Sequence, residues 1–368
     1  MKIHANVWKN RSVLITGHTG FKGGWLTSWL HHLGANIHGY SLEPPTQLNL
    51  FDVAKIAKLL TSETRADLAD LEQLKSTIQQ SRPEIIFHLA AQPLVRESYR
   101  NPLGTLTSNI LGTAHVLEAA RTSDSIRAII IVTTDKVYQN REHYHAYRET
   151  DALGGHDPYS ASKAAAELVT ASYRESFFNE ESDHPIRVAT VRAGNVIGGG
   201  DWAVDRLVPD CLRAFKAKKP VRLRFPHAIR PWQHVLEPLA GYLQLAEHLL
   251  SATGNQFARA WNFGPDAKGD ATVSQVAEML AQRWGDNAHI ELEAIHTPLH
   301  ETHLLKLDST LAYTDLGWKP RWSLEKALEQ VVIWHKAWHQ DADMARITLS
   351  QISAYQEASL SLTPAAQP

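Results

Sequence analysis

The sequence predicts an α/β protein built on a doubly wound parallel sheet, with a smaller lobe interleaved toward the C-terminus. Three observations lead to this prediction. Apolar, β-branched runs alternate with helix-length segments through the first half of the chain, which is typical of βαβ units. A glycine-rich turn follows the first of these runs and opens a helical pattern. From GGGDW at 198–202 onward, Pro, Arg and Trp become more frequent in irregular stretches such as RLRFPHAIRPWQHV.

The predicted strands are apolar runs bounded by polar or glycine-containing segments. In chain order they are SVLITG, NIHGYSL, EIIFHLA, AIIIVTT and RVATVRAGNV. A helix through WLTSWLHHLG ends at Gly34, since glycine is the commonest residue just after a helix. A last helix, WSLEKALEQVVIWHKAWH, repeats apolar residues at helical spacing after Ser323, a good N-cap residue.

The overall composition excludes several classes of partner. Thirty-seven basic and 39 acidic residues nearly cancel, so we expect no general attraction to nucleic acid or to a membrane surface. A single cysteine, Cys211, permits no internal disulfide and suits a reducing compartment. No apolar run approaches the ~20 residues of a membrane span, so we expect a soluble, cytoplasmic protein. The 20 histidines are scattered without metal-ligand spacing, and no metal site is predicted.

The stretch ITGHTGFKGGW predicts a phosphate-binding turn. Gly17, Gly20 and Gly23 recur at three-residue spacing, directly after the first strand and at the start of the first helix. Glycines in that position permit a tight turn and let backbone N–H groups approach a pyrophosphate at the helix N-terminus. The context therefore predicts a dinucleotide-binding, Rossmann-type domain. Lys22 inside the turn either adds positive charge at the diphosphate or is simply solvated.

The chain divides into three predicted parts. Residues 1–195 form the Rossmann domain and residues 196–350 form a substrate-binding lobe. The run RAWNFGP at 259–265 is predicted to return to the main sheet as a strand, so the two parts are interleaved in sequence. Residues 351–368 are polar and contain Ala, Ser and Pro, which predicts a flexible tail.

The end of the second strand favours NAD over NADP as the cofactor. An NAD-preferring fold commonly places an acidic residue there for the ribose hydroxyls. This chain has Ser41 instead, and no Arg or Lys follows until Lys55, so no partner for a 2′-phosphate is evident. The stretch RADLAD offers Asp67 and Leu68 near the adenine.

The stretch DPYSASKAAAELV predicts a catalytic pair on one helix. Tyr159 and Lys163 lie four residues apart at the start of a strong helical pattern, so both side chains project from one face. A tyrosine of reference pKa ~10 is a base at neutral pH only where nearby positive charge stabilises its phenolate. Lys163 and an oxidised nicotinamide supply two such charges. The strand AIIIVTT presents Thr133 and Thr134 upstream.

Together these motifs resemble the extended short-chain dehydrogenase/reductase family of nucleotide-sugar epimerases and dehydratases. TGHTGFKG, HLAAQ, NILGTAHVLEA, TTDKVY, YSASK and RAGNVIGGGDW occur in the family's order over nearly the whole chain. The resemblance implies a catalytic triad of Thr134, Tyr159 and Lys163, with Asn109 supporting the site from a helix. It also implies a nucleotide-sugar substrate between the lobes, and a homodimer or homotetramer that assembles through helices at about 103–121 and 159–178.

The pair Asp135-Lys136 distinguishes members of that family. Epimerases carry small or neutral residues at these positions, and dTDP-glucose 4,6-dehydratases carry Asp-Glu. The Asp-Lys pair, with GFKGGW and RPWQHVLEPLAGYL, resembles the 4,6-dehydratases that act on CDP-glucose. This resemblance implies conversion of CDP-glucose to its 4-keto-6-deoxy product with recycled NAD, in deoxysugar biosynthesis for O-antigen or lipopolysaccharide.

That chemistry suggests a role for each catalytic residue. Tyr159 removes the proton from the sugar O4 as hydride leaves C4, Asp135 protonates the departing C6 hydroxyl, and Lys136 moves the C5 proton. Reference pKa values of about 3.9 for Asp and about 10.4 for Lys put both groups in the wrong protonation state at pH 7. Because the two groups can share a proton, their separate roles stay open.

A near-neutral protein must meet a substrate diphosphate with local cations. DWAVDRLVPD offers Arg206, and RLRFPHAIRPWQHV offers Arg222, Arg224 and Arg230. The family resemblance favours Arg230 at the diphosphate and Asn195 of RAGNV as a substrate contact. A solvated surface position is the alternative for the other arginines, and the cytosine base rests on resemblance alone.

The predicted cofactor site combines the glycine loop, the ends of later strands and the catalytic helix. Its residues are Gly17, Thr19, Gly20, Phe21, Lys22, Gly23, Ser41, Asp67, Leu68, Leu89, Ala90, Ala91, Gln92, Asn109, Thr133, Tyr159 and Lys163. Ordinary packing is an alternative for the two alanines. Two other functions stay open: a nucleotide-sugar 4-epimerase, which returns hydride to C4, and a non-catalytic dinucleotide-sensing protein of the same fold.

Overall fold

A seven-stranded parallel sheet forms the centre of the computed structural model, which describes residues 3–179, 181, 185–223, 225–266, 269–285, 288–291 and 303–358. The strands are β1 (Ser12–Thr16), β2 (Asn36–Ser41), β3 (Ser62–Arg65), β4 (Ile85–His88), β5 (Ala128–Val132), β6 (Arg187–Ala193), β7 (Asn195–Ile197), β8 (Val221–Arg222), β9 (Ile229–His234), β10 (Ala260–Phe263), β11 (Asp270–Thr272) and β12 (Ile290–Glu291). The central sheet has the spatial order β10-β6-β5-β4-β1-β2-β3. The predicted α/β fold with a doubly wound parallel sheet is confirmed.

Helices connect these strands. They are α1 (Ala5–Trp8), α2 (Phe21–His32), α3 (Leu50–Val53), α4 (Leu71–Ser81), α5 (Val95–Arg100), α6 (Pro102–Leu106), α7 (Gly112–Arg121), α8 (Pro158–Ser176), α9 (Leu207–Lys216), α10 (Leu236–Leu249), α11 (Val273–Trp284), α12 (Thr310–Asp315), α13 (Leu324–His339) and α14 (Met344–Ala358). A π-helical turn, Thr107–Leu111, joins α6 to α7, and short 3₁₀ turns span Ile56–Leu59, Asp135–Val137 and Gly254–Phe257. Within the described ranges, no helix has the length and apolar composition needed to cross a membrane.

The order of the strands reverses between β1 and β4. From β1 the chain builds outward through β2 and β3 on one side, and through β4, β5 and β6 on the other. In such sheets the carboxyl ends of the strands beside the reversal open into a crevice that binds ligands. The glycine loop follows β1 directly, so it lies at this crevice.

The two faces of the sheet are buried under separate apolar cores. Val13 and Ile15 of β1 face a large cluster that contains Trp25 and Trp29 of α2. Leu14 of the same strand faces the opposite cluster, with residues of α4 and α7. Successive side chains of a strand point to opposite faces, and a strand that is buried on both faces therefore needs a continuous apolar run. This explains the continuous apolar runs of β1, β4 and β5.

The later part of the chain adds a smaller lobe and one central strand. A three-stranded sheet of order β11-β9-β7 and a two-stranded sheet of β12 and β8 accompany α9, α11 and α13. These helices enclose a separate core that includes Cys211. The strand β10 pairs in parallel with β6 at the edge of the central sheet. The domain boundary at residue 195 stays a prediction.

Local signals at two helix ends agree with the structure. Gly34 has φ +83° just after α2, and Ser323 caps α13 by accepting a hydrogen bond from the backbone N–H of Lys326. The predicted flexible tail, in contrast, is wrong for residues 351–358, which continue α14. The Tyr355 hydroxyl on this helix donates to Glu237 on α10 at 2.5 Å. That contact joins residues 118 positions apart, so the local composition gave no sign of it. Residues 359–368 lie outside the described residues.

Candidate functional site

A cleft of about 910 Å³ opens at the carboxyl ends of the central strands and extends to the smaller lobe. Nearly all of the residues predicted from sequence to form the site line it. They are Gly17, Thr19, Gly20, Phe21, Lys22, Gly23, Ser41, Asp67, Leu68, Leu89, Ala90, Ala91, Gln92, Thr133, Thr134, Asp135, Lys136, Tyr159, Lys163, Asn195, Arg206, Arg222 and Arg230. Arg224 lies outside the described residues.

The glycine loop is shaped by close backbone packing. Gly17 has φ +79°, and a Cβ added there would lie 2.6 Å from the backbone nitrogen of Ala90. A Cβ on Gly23 would lie 2.1 Å from the Gly17 carbonyl oxygen. At Gly20 the nearest such contact, also the Gly17 oxygen, is at 3.4 Å. Packing therefore requires glycine at two of these positions, and the third leaves open space at the N-terminus of α2, where a pyrophosphate fits.

The ends of β2 and β3 contain a cation that sequence reasoning missed. Arg65 pairs in register with Ser41 on the neighbouring strand, although the two are 24 positions apart. Its guanidinium forms ion pairs with Glu63 at 2.8 Å and Glu43 at 3.3 Å, and it donates to the Leu42 carbonyl. The prediction that no cation lies near Ser41 was based only on the residues that follow Ser41 in the sequence. This cation is already balanced by two carboxylates.

The proposed triad comes together across β5 and α8. Thr134 acts on the Tyr159 hydroxyl to lower its pKa, but burial outweighs this effect and raises the pKa to about 12. Lys163 Nζ donates to the Val132 carbonyl oxygen at 3.1 Å, and burial lowers its pKa to about 8. Asp157 caps α8 through the backbone N–H of Ser160, so the helix starts one turn before the lysine and directs both side chains into the cleft.

Asp135 is a buried acid beside this triad. Its side chain is only 2% exposed, and Oδ1 accepts a hydrogen bond from the Thr134 hydroxyl at 3.0 Å. Among the described residues, Oδ2 has no hydrogen-bond partner. Burial raises the pKa of this carboxyl, against the opposing effects of Lys136, Thr134, Arg230 and Lys22. The protonated form is therefore favoured relative to an aspartate in water, as a proton donor requires.

Several cations face this acid from other elements. Lys22 points into the cleft, where burial and the nearby charges of Arg206 and Lys163 lower its pKa to about 8. Lys22 is half-buried at the cleft, so both alternatives stated for it stay open. Arg206 forms an ion pair with Asp201 at 2.8 Å, within the stretch GGGDW, and Arg230 is only 4% exposed. The excess of positive charge suits anionic ligands.

Two of the predicted site residues lie at the edge of the cleft or behind its lining. Arg222 is largely exposed and lies 3.7 Å from Glu291, so it stands at the rim of the cleft. Asn109 lies behind the lining, in the π-helical turn between α6 and α7. Its side-chain amide donates to Ser162 Oγ at 2.8 Å and accepts from the Gln92 backbone N–H at 2.9 Å. The cofactor contact predicted for Asn109 is therefore corrected to a supporting position that joins α8 to the loop after β4.

The fold and this site define the class of protein. A glycine loop at the start of a Rossmann-type sheet, with Tyr159 and Lys163 four residues apart beside Thr134, is the arrangement of the extended short-chain dehydrogenases/reductases. Residues 14–331 match the family model described as GDP-mannose 4,6 dehydratase, and the chain belongs to this family of nucleotide-sugar dehydratases.

Similar proteins narrow the class further. The chain is 47% identical over 358 residues to the CDP-glucose 4,6-dehydratase of Salmonella typhimurium, an alignment that covers 97% of this chain and 99% of that protein. It is 27% identical to GDP-mannose 4,6 dehydratase 1 of Arabidopsis thaliana, over 89% of this chain and 91% of that protein. The resemblance inferred from the motifs is confirmed.

Solved structures share the fold at lower identity. The dTDP-glucose 4,6-dehydratase of Bacillus anthracis in complex with NAD superposes with a TM-score of 0.73 at 20% identity, covering 91% of this chain and 99% of that one. The UDP-glucose 4-epimerase of Thermotoga maritima superposes with a TM-score of 0.75 at 21% identity, covering 89% and 99%. Because dehydratases and epimerases share this fold, the fold alone does not separate the two activities.

Proposed function

We propose that this chain is an NAD-dependent CDP-glucose 4,6-dehydratase, which converts CDP-glucose to CDP-4-keto-6-deoxyglucose and water. The observation that carries the proposal is the buried Asp135, whose Oδ2 is unpaired among the described residues and whose pKa is raised by burial. An epimerase only moves hydride away from C4 and back, so it has no hydroxyl to expel. A dehydratase needs an acid for the departing C6 hydroxyl. The full-length relative from Salmonella typhimurium supports the same activity.

The glycine loop fits a dinucleotide. The loop keeps space free beside Gly20, and the N-terminus of α2 presents backbone N–H groups to a diphosphate. Ser41, bonded to Thr19 Oγ1 at 2.7 Å, and Asp67 would lie at the adenosine end. When bound, NAD supplies the hydride acceptor for C4 and the hydride donor for C6. The two carboxylates that balance Arg65 support NAD over NADP, because they disfavour a 2′-phosphate.

Three residues of the chain would then move protons. Tyr159 takes the proton of O4 while C4 becomes a ketone. The ketone acidifies C5–H, so Lys136 removes that proton as the C6–O bond breaks and Asp135 protonates the leaving oxygen, which departs as water. The C5 proton returns as C6 gains hydride, and the sugar undergoes no net change of redox state.

The protonation of Tyr159 sets a condition on the first step. Its pKa of about 12 in the ligand-free protein means that the phenol is almost entirely protonated at pH 7. Positive charge must therefore stabilise the phenolate as the proton leaves. Arg206 lies near Tyr159 and lowers the pKa of its phenol, and Lys163, one turn further along the same helix, has a pKa of about 8 and is mainly charged at pH 7.

The substrate diphosphate would lie against the arginines of the smaller lobe. Arg230 is buried on β9 near Asp135, and Arg206 lies near Tyr159. The two therefore reach the catalytic residues from the smaller lobe, and Arg206 also lies near Lys22 of the glycine loop. Asn195, at the start of β7, lines the same region. Arg222 at the rim would contact the outer part of the nucleotide.

Product identification tests the proposal. The purified protein with NAD is incubated separately with CDP-, dTDP-, GDP- and UDP-glucose, and products are identified by mass spectrometry and NMR. We expect the CDP-sugar to lose one water and to show a C4 ketone and a C6 methyl group. Formation of CDP-galactose at unchanged mass would instead assign an epimerase. An absence of turnover with all four sugars would contradict the proposal and favour the dinucleotide-sensing alternative.

We also propose that the chain is a homo-oligomer that assembles through α6, α7 and α8. Large apolar side chains are exposed on these elements and at their ends: Leu103 at 76%, Leu111 at 52%, Leu168 at 61% and Phe177 at 45%. Light scattering after size-exclusion chromatography tests this proposal. Leu103→Glu with Leu168→Glu should yield monomers, whereas Leu349→Glu on α14 should leave the mass unchanged. A monomeric wild-type protein contradicts the proposal.

A further inference from the structure

Glu167 is a buried carboxylate directly behind the catalytic residues. It lies on α8, four residues after Lys163, and is 4% exposed. Each of its two carboxylate oxygens accepts two hydrogen bonds. Thr133 Oγ1 at 2.6 Å and Arg192 Nε at 2.9 Å donate to Oε1. Thr190 Oγ1 at 2.6 Å and Arg192 Nη2 at 2.9 Å donate to Oε2.

These bonds join the two elements that carry the proposed triad. Thr133 follows β5 and immediately precedes Thr134, whereas Glu167 belongs to the helix that carries Tyr159. One turn earlier on that helix, Lys163 Nζ donates to the Val132 carbonyl at the end of the same strand. Two hydrogen bonds, one helical turn apart, therefore connect α8 to the end of β5. The one from Thr133 to Glu167 is charge-assisted and 2.6 Å long, so it strongly restricts movement of the helix relative to the strand.

Glu167 also provides negative charge close to Lys163. Its carboxylate raises the pKa of that lysine, against the larger opposite effect of burial. Lys22 at the start of α2 faces Lys163 as a second cation, and His88 on β4 also faces it. Burial lowers the pKa of His88 to about 3, so this ring is neutral at pH 7. Arg192 forms an ion pair with Glu167 itself, and Glu167 also raises the pKa of Arg174.

We propose that Glu167 is a positioning residue for the dehydratase reaction, an inference that rests on the function proposed above. Its carboxylate holds the helix of Tyr159 and Lys163 in register with the strand that presents Thr134. The same negative charge keeps Lys163 protonated, so that the ammonium is available when the tyrosine gives up its proton. Arg192 keeps the carboxylate ionised, since their ion pair and hydrogen bonds hold the pKa of Glu167 below its ordinary value.

The test removes both charges of the buried pair together. Glu167→Gln alone leaves the Arg192 guanidinium buried without a counter-charge, which destabilises the fold for reasons unrelated to catalysis. The double variant Glu167→Gln with Arg192→Met avoids this. The protonation of Lys163 is followed in substrate-free protein by its rate of acetylation with acetic anhydride as a function of pH, with mass spectrometry of the labelled peptide. We expect the midpoint to fall by about one pH unit.

Kinetics supply the second readout. In the double variant we expect kcat to fall about twofold at pH 7 and about fivefold at pH 8, because a midpoint lowered from about 8 by one unit leaves about half and about a tenth of Lys163 charged; KM for CDP-glucose should change little, since the interaction acts on proton transfer rather than on substrate binding. The control is Thr190→Val, which removes one hydrogen bond to the carboxylate and keeps its charge. It should lower thermal stability and leave the Lys163 midpoint in place.

The two readouts separate this inference from the proposed function. An unchanged Lys163 midpoint in the double variant overturns the electrostatic role, and an unchanged kcat at an altered midpoint overturns the positioning role. A wild-type protein that turns over no CDP-glucose overturns the proposed function. The labelling experiment needs no substrate, so it still measures the effect of Glu167 on Lys163 in that case.

Discussion

The two ends of the cleft are built in different ways. At the glycine loop, the site is defined by backbone atoms in close contact, as at Gly17 and Gly23. At the end of β5, it is defined by buried ionisable side chains such as Asp135 and Lys163. The backbone packing of the first region should therefore be sensitive to added volume, whereas the second region should respond mainly to changes of charge. Variants at each end test this contrast.

The largest effect is expected for Asp135→Asn. An amide cannot donate a proton to the departing C6 hydroxyl, so elimination should slow by about 10²–10⁴-fold, the usual contribution of a general acid. Oxidation at C4 does not use this acid and should continue. NADH should therefore accumulate on the enzyme, which absorbance at 340 nm measures. The matched control is Asp67→Asn at the adenosine end, where elimination should proceed at the wild-type rate. Release of water from Asp135→Asn at the wild-type rate would exclude the acid role.

A change of volume should affect the other end more. Gly23→Ala places a methyl group against the Gly17 carbonyl, only 2.1 Å from its oxygen, so the backbone must move. We expect a loss of about 1–3 kcal/mol of folding stability and weaker NAD binding, followed by thermal unfolding and by calorimetric titration. Gly20→Ala, whose Cβ has a nearest contact of 3.4 Å, is the control for folding stability and should unfold near the wild-type temperature. Equal destabilisation by the two variants would refute the packing account.

A pH series examines the charges that lie between the two ends. Lys22 and Lys163 both have a pKa of about 8, which means that they are protonated below pH 8 and lose their charge above it. Because the diphosphate of NAD is anionic, affinity should decrease by about tenfold as the pH rises from 7 to 9. Lys22→Met should weaken binding at pH 7 and flatten this dependence. Lys55→Met, on an exposed turn, should retain the full dependence. A flat profile for the wild type would contradict the electrostatic contribution.

The features that could be predicted from the sequence are those whose residues lie close together in the chain. Motifs with short spacing, such as Tyr159 and Lys163 on one helix, identified both the fold class and most of the cleft. Features that depend on distant partners were missed. Arg65 becomes a neighbour of the ribose end only through strand pairing. Residues 351–358 pack onto the main core through Ile352 and Tyr355, and Tyr355 donates to Glu237, 118 positions away. A hydrophilic stretch carries no local signal of such a contact.

The smallest expected effect concerns the choice between NAD and NADP at the adenosine end. The contrast between backbone packing and charge is weakest there, because charged side chains also contribute to cofactor binding at this end. Glu43→Gln with Glu63→Gln would leave Arg65 without its two acidic partners, and the freed guanidinium could bind a 2′-phosphate. We expect the preference for NAD over NADP, measured as the ratio of their dissociation constants, to fall by about fivefold, since partly exposed charges contribute up to about 1 kcal/mol. Glu72→Gln with Glu329→Gln, which removes the exposed partners of Lys75 on α4 and Lys326 on α13, is the charge-matched control. If the ratio of the two dissociation constants stayed constant in the double variant, the preference for NAD would have to arise from the shape of the loop at the adenosine end. That end of the cleft would then depend on backbone packing, as the glycine turn does.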